Sequence, residues 1–561
     1  MPMNWRRWCP FLAWPRPDAA LLRGEGVAAL TVAVVMIPQS VAYAGLAGMP
    51  LVAGLYATFL PMLVAVLFGS STRLSVGPSA LTSVLVGASL AGLAAPASDQ
   101  WVALAVWLSL LAGGVQLAVG ASGAAWMLNL VSSPVLTGFS QAAALLIIAS
   151  QLPALLGLQG PLASLWQAPR FDGQAMAYGL VSLTLFELGK RFAPRVPVVL
   201  IVLVAAGALS AFTGYSSHGA VVGALPAGLP APYWPGMPDW DRFGALVAPA
   251  LVIALVSSME MASSAKIEAQ RDGRRWDAGQ DLVGQGLAKI VSGFSGGFAT
   301  STSFSRSAIT LYAGARTGWA TVIAGVCVLV VLLFLTPALS HVPHAVLSAV
   351  VVAAVVNLIK PRALTALWHV DRAEAFTAGI TVAVTLLAAP RIYWGVLTGV
   401  LVALAHFLYL RLHPRIIEVG LHPDGSLRDR HLWKLPPLAP HLLALRMDAE
   451  LDFASASDLE RRIAEDLSQH PDARHVALFA QPVNRIDATG VEMFQQLRRL
   501  LAERGITLHL SGVKLPVERV LEKAGALAPS PLLRLYRTDA EALAAFDGLG
   551  DGETGPASDA R

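Results

Sequence analysis

The first three quarters of the chain alternate between long apolar runs and short polar connections. An apolar run of about 20 residues can cross a bilayer as a helix, and a broken segment can be shorter. Fourteen such runs are predicted, as two sets of seven. The first set lies near 25–44, 51–69, 78–94, 101–120, 131–152, 174–190 and 196–213, and the second near 243–264, 280–297, 303–314, 318–337, 344–360, 373–389 and 392–411. Seven crossings invert the second half relative to the first, which is typical of transporters built from inverted repeats.

Two stretches rich in Ser, Thr and Gly interrupt these runs, one in each half, at 74–80 and 298–306. Non-helical backbone at membrane depth is tolerated only where protein or a watery cavity covers it, and paired breaks are typical of a transporter's substrate site. If each break opens a half-helix, two sets of free N–H groups face each other and attract anions. The pattern therefore predicts an anion site near the middle of the membrane.

The composition excludes a soluble globular protein. Of the 561 residues, 55% are hydrophobic and 14% are charged, and the mean hydropathy is +0.60; soluble domains have about 25% charged residues. The two cysteines, Cys9 and Cys327, are too far apart in sequence to indicate a disulfide framework or a metal spacing, and no Walker motif indicates an ATP-driven pump. We expect a polytopic membrane protein that is not an enzyme and has no cofactor.

The formal net charge is +4, and the basic residues cluster in particular loops. With the N-terminus inside, the cytoplasmic loops receive Arg73, Lys190, Arg191, Arg195, the 266–275 segment, Arg316, Lys360, Arg362, Arg411 and Arg415. Arg391 is the clear exception, in an external loop. This asymmetry predicts an inner-membrane protein with both termini in the cytoplasm. It also accounts for the positive net charge, so nucleic-acid binding is not needed to explain that charge.

Glu260 lies near the cytoplasmic end of an otherwise apolar span. An ionisable group at that depth is costly and by default functional. On a helix Ser257 and Ser264 share its face, so a carboxylate flanked by two hydroxyls is predicted to bind a proton, a cation or a polar substrate. The alternative is an interfacial carboxylate that extends toward the basic loop beginning at Lys266.

Two further places carry candidate chemistry. Pro38 opens the first span and leaves Gln39 and Tyr43 on one face as an amide and an aromatic wall, or else it makes a purely structural kink. Arg306 lies one turn inside the tenth segment, where its forked donors suit an oxyanion. Alternatively, Arg306 forms an ion pair with Glu260 that holds the two repeats together. Anion binding and this ion pair are compatible functions of Arg306.

After Arg415 the chain becomes charged and amphipathic, and strands alternate with helices, which predicts a small α/β domain. The predicted elements are strands at 442–446, 475–479 and 506–510 and helices at 456–468, 491–504 and 516–524. The predicted organisation is a cytoplasmic arm at 1–24, a transmembrane domain at 25–415, a linker at 416–440, the α/β domain at 441–545 and a disordered tail at 546–561. Asp487 or Thr489 is expected to cap the helix that follows; a phosphate or nucleotide contact there is the weaker alternative.

The chain resembles the sulfate permease family of anion transporters over nearly its whole length. The resemblance is carried by Pro38–Ala44, Gly54–Tyr56, Ser75–Pro78, Ser133–Phe139, Leu282–Ala288 and Ser303–Ser307, in that order along the chain. Ile486–Gly490 resembles the corresponding loop of the STAS domain that family members carry at the C-terminal end.

The resemblance implies an all-α membrane domain of fourteen segments, a seven-plus-seven inverted repeat with core and gate domains, a cytoplasmic α/β STAS domain and a homodimer. It also implies an anion between the starts of the third and tenth helices, next to the first span. The implied substrate-binding residues are Gln39, Tyr43, Pro78, Ser79, Ala80, Thr302, Ser303, Phe304, Ser305 and Arg306.

The resemblance also bears on coupling and regulation. In sodium-coupled bicarbonate relatives the carboxylate of the eighth span helps to bind sodium, and Glu260 and Ser264 occupy those places. Glu instead of Asp at 260 favours a proton. In STAS domains that are switched by phosphorylation a Ser follows the loop Asp; here Ala488 excludes that switch and leaves Thr489 as the regulatory candidate beside Asp487.

The resulting hypothesis is a secondary-active transporter that takes up sulfate with protons by moving the core against a fixed dimeric gate. Sodium-coupled bicarbonate transport and proton-coupled C4-dicarboxylate transport are alternatives. A neutral nucleobase substrate is disfavoured because it would leave Arg306 without a counter-charge. An alternative of another class is a membrane sensor that reports anion occupancy to a cytoplasmic protein partner through the STAS domain.

Overall fold

The computed structural model describes residues 9–160, 162, 170–193 and 196–549. Contacts divide the chain into two units, Met1–Ala403 and Leu404–Arg561. Most of the predicted tail at 546–561, the first eight residues of the predicted arm and Arg195 lie outside the described residues.

The helices up to Leu412 follow the predicted spans closely. They are α1 (Ala19–Leu46), α2 (Ala53–Phe68), α3 (Ala80–Leu90), α4 (Asp99–Ala121), α5 (Ser133–Leu155), α6 (Gly173–Phe192), α7 (Val198–Phe212), α8 (Trp240–Asp272), α9 (Ala278–Phe294), α10 (Phe304–Tyr312), α11 (Trp319–Val330, continued by Val331–Leu335 and Thr336–Leu339), α12 (His344–Val355), α13 (Arg372–Leu387) and α14 (Tyr393–Leu412). A short helix at Pro10–Ala13 precedes α1, and further short helices connect some of the others, at Ala125–Leu130, Tyr215–Ser217, Val356–Leu358 and Pro361–Val370. Seven of the described helical segments are long and apolar enough to cross a membrane by themselves.

The short helices α3 and α10 are each preceded by a two-residue strand, β1 (Val76–Gly77) and β2 (Ser301–Thr302). The breaks predicted at 74–80 and 298–306 are therefore present, and each one opens a half-helix. A half-helix needs fewer residues than a full crossing because it begins in the middle of the membrane.

Helix packing repeats between the two halves. α3 packs on α8 as α10 packs on α1, α4 packs on α8 as α11 packs on α1, and α5 packs on α13 as α12 packs on α6. Each contact becomes its counterpart when seven is added to the number of the first-half helix and subtracted from the number of the second-half helix. This correspondence is the inverted repeat. By their places in the repeat, α1–α4 and α8–α11 form a core bundle and α5–α7 and α12–α14 form a gate bundle. The two bundles meet where α1 packs on α7 and α12 and where α3 packs on α5.

Glycines bring α4 and α9 into backbone contact. A Cβ atom on Gly113 would lie 2.8 Å from the carbonyl oxygen of Gly286, and one on Gly286 would lie 2.7 Å from the carbonyl oxygen of Gly113. Gly120 and Gly279 repeat this contact one heptad away along both helices. Small residues permit such close helix approach in membranes, so α9 is held tightly against α4 in the core bundle.

Two buried carboxylates fix the connection between α2 and β1. Asp281 accepts hydrogen bonds from the main-chain N–H groups of Ser70 (2.6 Å) and Ser71 (2.9 Å). Glu268 accepts from the N–H groups of Thr72 (3.0 Å) and Arg73 (3.2 Å) and pairs with the Arg73 guanidinium. The segment that leads into the first break is therefore anchored to α8 and α9.

The second unit is an α/β domain with its own apolar core. Its strands are β3 (Ile416–Leu421), β4 (Leu427–Asp429), β5 (Leu442–Met447), β6 (His475–Phe479), β7 (Thr507–Ser511) and β8 (Leu533–Tyr536). The sheet order is β4-β3-β5-β6-β7-β8, with β5 to β8 parallel and β3 antiparallel to both neighbours. The helices are Arg430–Trp433, α15 (Ala456–Gln469), α16 (Ala488–Glu503), α17 (Leu515–Lys523) and α18 (Asp539–Asp547).

The predicted linker at 416–440 is wrong, because β3, β4 and a short helix occupy much of it. Ile417 and Val419 are buried in the sheet, and Glu418 beside them is also buried, where it accepts a hydrogen bond from Arg430. A glutamate in the middle of the strand concealed the strand pattern in the sequence. A deletion designed to remove this domain should therefore begin after Leu412.

A buried histidine joins two strands of this sheet. His509 on β7 has its Nδ1 atom 3.0 Å from the Tyr536 hydroxyl and its Nε2 atom 3.1 Å from Nδ1 of His475. Burial and the nearby positive groups lower the pKa of His509 from 6.5 to about 4. Between these two pH values the unfolded domain binds more protons than the folded one, so folding stability rises with pH in that window.

We predict that the domain loses stability as the pH falls from 7 toward 4, by up to about 3 kcal/mol for His509. Urea unfolding of a fragment spanning 413–549 at pH 7 and pH 5 measures this change. His509→Gln should flatten the dependence, whereas His470→Gln, at an exposed histidine, should leave it as in the wild type. A wild-type fragment that is equally stable at both pH values contradicts the prediction.

Candidate anion site

The site is built where β1 and β2 pair antiparallel, with Val76 opposite Thr302 and Gly77 opposite Ser301. All four residues are buried. The main-chain N–H of Ser303 also donates to the carbonyl oxygen of Ser75 (3.0 Å). Because the unwound segments satisfy each other's backbone groups, the starts of α3 and α10 are held side by side within the core bundle.

Both half-helices begin with a serine cap. The Ser79 hydroxyl accepts from the N–H of Thr82 (3.3 Å) at the start of α3, and the Ser303 hydroxyl accepts from the N–H of Arg306 (3.5 Å) at the start of α10. Ala80 is the first residue of α3 and is buried. The remaining N–H groups of each first turn have no partner within their own helix, and together with the helix dipole they favour an anion.

Arg306 reaches from α10 to the other half of the core, and its side chain is completely buried. Its Nε donates to the Ser75 hydroxyl (3.2 Å), its Nη1 to the Gln39 side-chain oxygen (3.4 Å) and its Nη2 to the Pro78 carbonyl (2.9 Å). All three acceptors are neutral. In the described part of the chain no carboxylate lies within 4 Å of this guanidinium, so the alternative of an ion pair with Glu260 is wrong for this conformation.

Glu260 on α8 is partly buried and accepts hydrogen bonds from hydroxyls of both breaks. Ser79 donates to it at 3.1 Å and Thr82 at 3.5 Å, and Ser301 on β2 is a third donor. Residues far away in the sequence therefore supply its hydroxyl partners. The carboxylate is directed into the core bundle between the two half-helices, so the alternative of an interfacial group extending to the basic loop does not describe it.

The predicted flanking hydroxyls of Glu260 are used elsewhere. Ser264 donates to the main-chain carbonyl of Glu260 (3.2 Å), and Ser257 donates to the carbonyl of Ile253 (2.6 Å) and accepts from Gln116. Serines in helices commonly bond to the carbonyl four residues earlier. These serines do lie on the same helix as Glu260 and within about one turn of it, as predicted, but neither donates to its carboxylate.

The remaining predicted residues are distributed unevenly around the site. Tyr43 on α1 is buried, as is Thr302, whose hydroxyl accepts from the Gln285 amide (2.7 Å). Phe304 and Ser305 are exposed. Phe304 lines a separate cavity of about 140 Å³ together with Ser264 and other residues of α8 and α10. These last two residues are the first two of α10, but their side chains are exposed and are not buried in the core bundle.

Sequence reasoning missed Lys289 on α9, which is completely buried and donates to the side-chain oxygen of Gln116 on α4 (2.8 Å). The rule that selected Glu260, an ionisable residue inside an apolar span, also applies to Lys289. Three further polar atoms near these elements are buried without a hydrogen-bond partner: the hydroxyls of Ser83 and Thr300 and the side-chain oxygen of Gln285.

The predicted regulatory loop of the second unit forms a helix cap. One Asp487 oxygen accepts from the N–H of Gly490 (2.9 Å), and the other accepts from the N–H of Phe453 (3.0 Å). Thr489 is exposed in the first turn of α16. The capping prediction for Asp487 is confirmed.

Comparison with known proteins agrees with this architecture. The sulfate permease family profile matches residues 22–381 and the STAS domain profile matches residues 437–542. A probable sulfate transporter of Mycobacterium tuberculosis is 32% identical over 536 residues, which cover 94% of this chain and 95% of the relative.

Two solved structures share the fold. The murine Solute Carrier 26 family member A9 anion transporter in its inward-facing state matches with a TM-score of 0.86 and 19% identity, over 96% of this chain and 94% of that one. The transmembrane domain of a cyanobacterial bicarbonate transporter, BicA, matches with a TM-score of 0.59 and 22% identity, over 69% of this chain and 98% of that one. From the match of the family profile and the identity to the mycobacterial relative, the chain belongs to the sulfate permease family of membrane anion transporters.

Proposed function

We propose that this transporter takes up sulfate together with protons, and that the anion binds between the starts of α3 and α10. The observation that carries the proposal is the Arg306 guanidinium, a completely buried cation whose hydrogen-bond acceptors are all neutral. A buried charge without a counter-charge is costly. A bound oxyanion supplies that counter-charge and accepts charge-assisted hydrogen bonds in place of the neutral oxygens.

A tetrahedral oxyanion suits this site because it can accept from several directions at once. The proposed donors are the first-turn N–H groups of the two half-helices and the Arg306 guanidinium. The Gln39 amide and the Tyr43 ring on α1 complete the proposed pocket. The relatives named as sulfate transporters support sulfate as the anion.

Ser79 provides the physical link between the anion and the coupling ion. The same hydroxyl caps α3 and donates to Glu260. An ionised Glu260 places a negative charge beside the helix start that is proposed to hold the anion, and protonation removes that repulsion. Proton and anion therefore strengthen each other's binding, and by thermodynamic linkage the effect is reciprocal. This coupling favours symport, in which both are carried in the same direction.

The proposed transport movement is a displacement of the core bundle against the gate bundle. All residues of the proposed site belong to α1, to α8, or to α3 and α10 and the broken segments that open them, all of which are assigned to the core bundle. A homodimer that holds the gate fixed, insertion in the inner membrane and cytoplasmic termini are part of the same proposal, the last two supported by the distribution of basic residues.

Replacing Glu260 by Gln should abolish proton-driven accumulation and preserve anion binding. The amide oxygen can still accept from Ser79 and Ser301, but the side chain can no longer take up a proton. Uptake of radiolabelled sulfate into proteoliposomes under an imposed proton gradient measures the loss, and sulfate binding in detergent measures what is preserved.

The matched control for this change is Glu187→Gln, at an exposed position of α6 where the carboxylate pairs with Lys190. It should transport like the wild type. Undiminished accumulation by the Glu260→Gln protein would remove the proton-carrier role. Wild-type accumulation driven by a sodium gradient and not by a proton gradient would replace proton by sodium as the coupling ion.

Replacing Arg306 by Ala should weaken sulfate binding by roughly 30-fold or more, as expected for truncating a buried charged donor. Arg306→Lys keeps the charge but loses the fork, so an intermediate affinity is expected. Isothermal titration of the purified variants with sulfate measures both. Arg191→Ala, at an exposed arginine of α6, should bind like the wild type, and wild-type affinity in the Arg306→Ala protein would leave Arg306 with a structural role only.

A further inference from the structure

Lys289 lies in the middle of α9 and is completely buried in the core bundle. Its Cβ atom faces the glycine contact between α4 and α9, where a Cβ added to Gly113 would lie 2.9 Å away. Its ammonium group donates to the side-chain oxygen of Gln116 (2.8 Å). Among the described residues no carboxylate lies within 4 Å of it, so its nearest partner is neutral, as is the case for Arg306.

Gln116 connects Lys289 to the helix that carries Glu260. Its amide nitrogen donates to the carbonyl oxygen of Ala254 (3.0 Å) and to the hydroxyls of Ser257 (3.0 Å) and Ser258 (2.7 Å). These serines precede Glu260 by less than one helical turn. The Lys289 ammonium is therefore linked through Gln116 to the part of α8 that lies just before Glu260.

Other ionisable groups on the helices packed against α9 lie toward helix ends or already have partners; on α8 those toward the ends are Asp241, Arg242, Lys266, Arg271 and Asp272. α2 contributes Tyr56 and α4 contributes Asp99, at its first residue. Asp281, at the beginning of α9, is bound by Ser70 and Ser71, and Glu268 on α8 is paired with Arg73. Glu260 and Arg306 are thus the charges that share the centre of the core bundle with Lys289.

The sum of these charges restricts which anion fits. Net charge buried in the membrane is costly, so the loaded core is most stable when it is neutral. Arg306 and Lys289 together supply two positive charges. They are balanced by a divalent anion when Glu260 is protonated, or by a monovalent anion when Glu260 is ionised.

We propose that Lys289 supplies the second positive charge of the transport site, and that it sets the preference for a divalent oxyanion bound together with a proton on Glu260. The inference rests on the proposed sulfate–proton function and deepens it. Lys289 acts at a distance, as a charge-matching residue behind Glu260, and does not touch the anion. Without it, the neutral loaded state with a protonated Glu260 would hold a monovalent anion.

The test compares affinities for divalent and monovalent oxyanions in Lys289→Met and Lys289→Gln. Sulfate, selenate and nitrate are titrated into the full-length proteins in detergent. Loss of one buried charge should weaken sulfate and selenate binding by roughly tenfold or more, while nitrate binding changes by less than about threefold. The ratio of divalent to monovalent affinity should fall accordingly. Lys266→Met, at an exposed lysine of α8, should keep the wild-type ratio.

A folded Lys289→Met or Lys289→Gln protein with the wild-type ratio would overturn the inference. If neither variant folds, competition in the wild type decides: selenate should displace sulfate more strongly than nitrate does, and equal or stronger displacement by nitrate would overturn it. A wild type that prefers divalent anions but shows no proton-driven accumulation would instead refute the symport proposal. Accumulation with an unchanged ratio in the variants would refute only the role of Lys289.

Discussion

The antiparallel pairing of β1 and β2 is the constraint on which the site depends. Backbone that leaves the helical conformation inside a membrane loses hydrogen bonds that lipid cannot replace. Here each broken segment is the partner of the other, so the two halves of the chain complete each other. The same pairing places the starts of α3 and α10 side by side. A structural requirement of the backbone thus creates two adjacent helix N-termini deep in an apolar bundle.

Short hydroxyl side chains convert this geometry into a connected site. Ser79 caps α3 and also donates to Glu260, and Ser301 reaches the same carboxylate from β2. Arg306 extends in the other direction, from α10 to the carbonyl of Pro78 immediately before α3. Each half of the repeat therefore holds polar groups of the other half, and a change of charge at Glu260 is transmitted directly to a helix start. This connection is why anion binding and protonation are expected to depend on each other.

A second layer of contacts supports the site from behind. The backbone contact of α4 with α9 at Gly113 and Gly286 determines where Lys289 lies. Gln116 accepts a hydrogen bond from that lysine and donates one to Ser258 on α8. In addition, Asp281 and Glu268 hold the segment that enters β1. The Lys289–Gln116 contacts and the carboxylate contacts before β1 are both made by buried polar groups that have hydrogen-bond partners. Such satisfied groups stabilise one arrangement in a low-dielectric interior.

Hydrophobic runs, broken segments and basic loops are local properties, so the sequence alone determined the spans, the paired breaks and the α/β domain, and it singled out Glu260 and Arg306 as ionisable residues inside apolar segments. It did not determine which groups meet. Ser257 and Ser264 share a helix face with Glu260, yet the hydroxyls that bind the carboxylate come from Ser79 and Thr82, at the start of α3, and from Ser301, on β2. Likewise, the sequence contained Lys289 and the β3 strand, but Lys289 gained its significance only from helix packing and β3 only from its neighbours in the sheet. The physical reason is that partners far apart in the chain are chosen by tertiary packing, whereas residue spacing reports only on neighbours within one element.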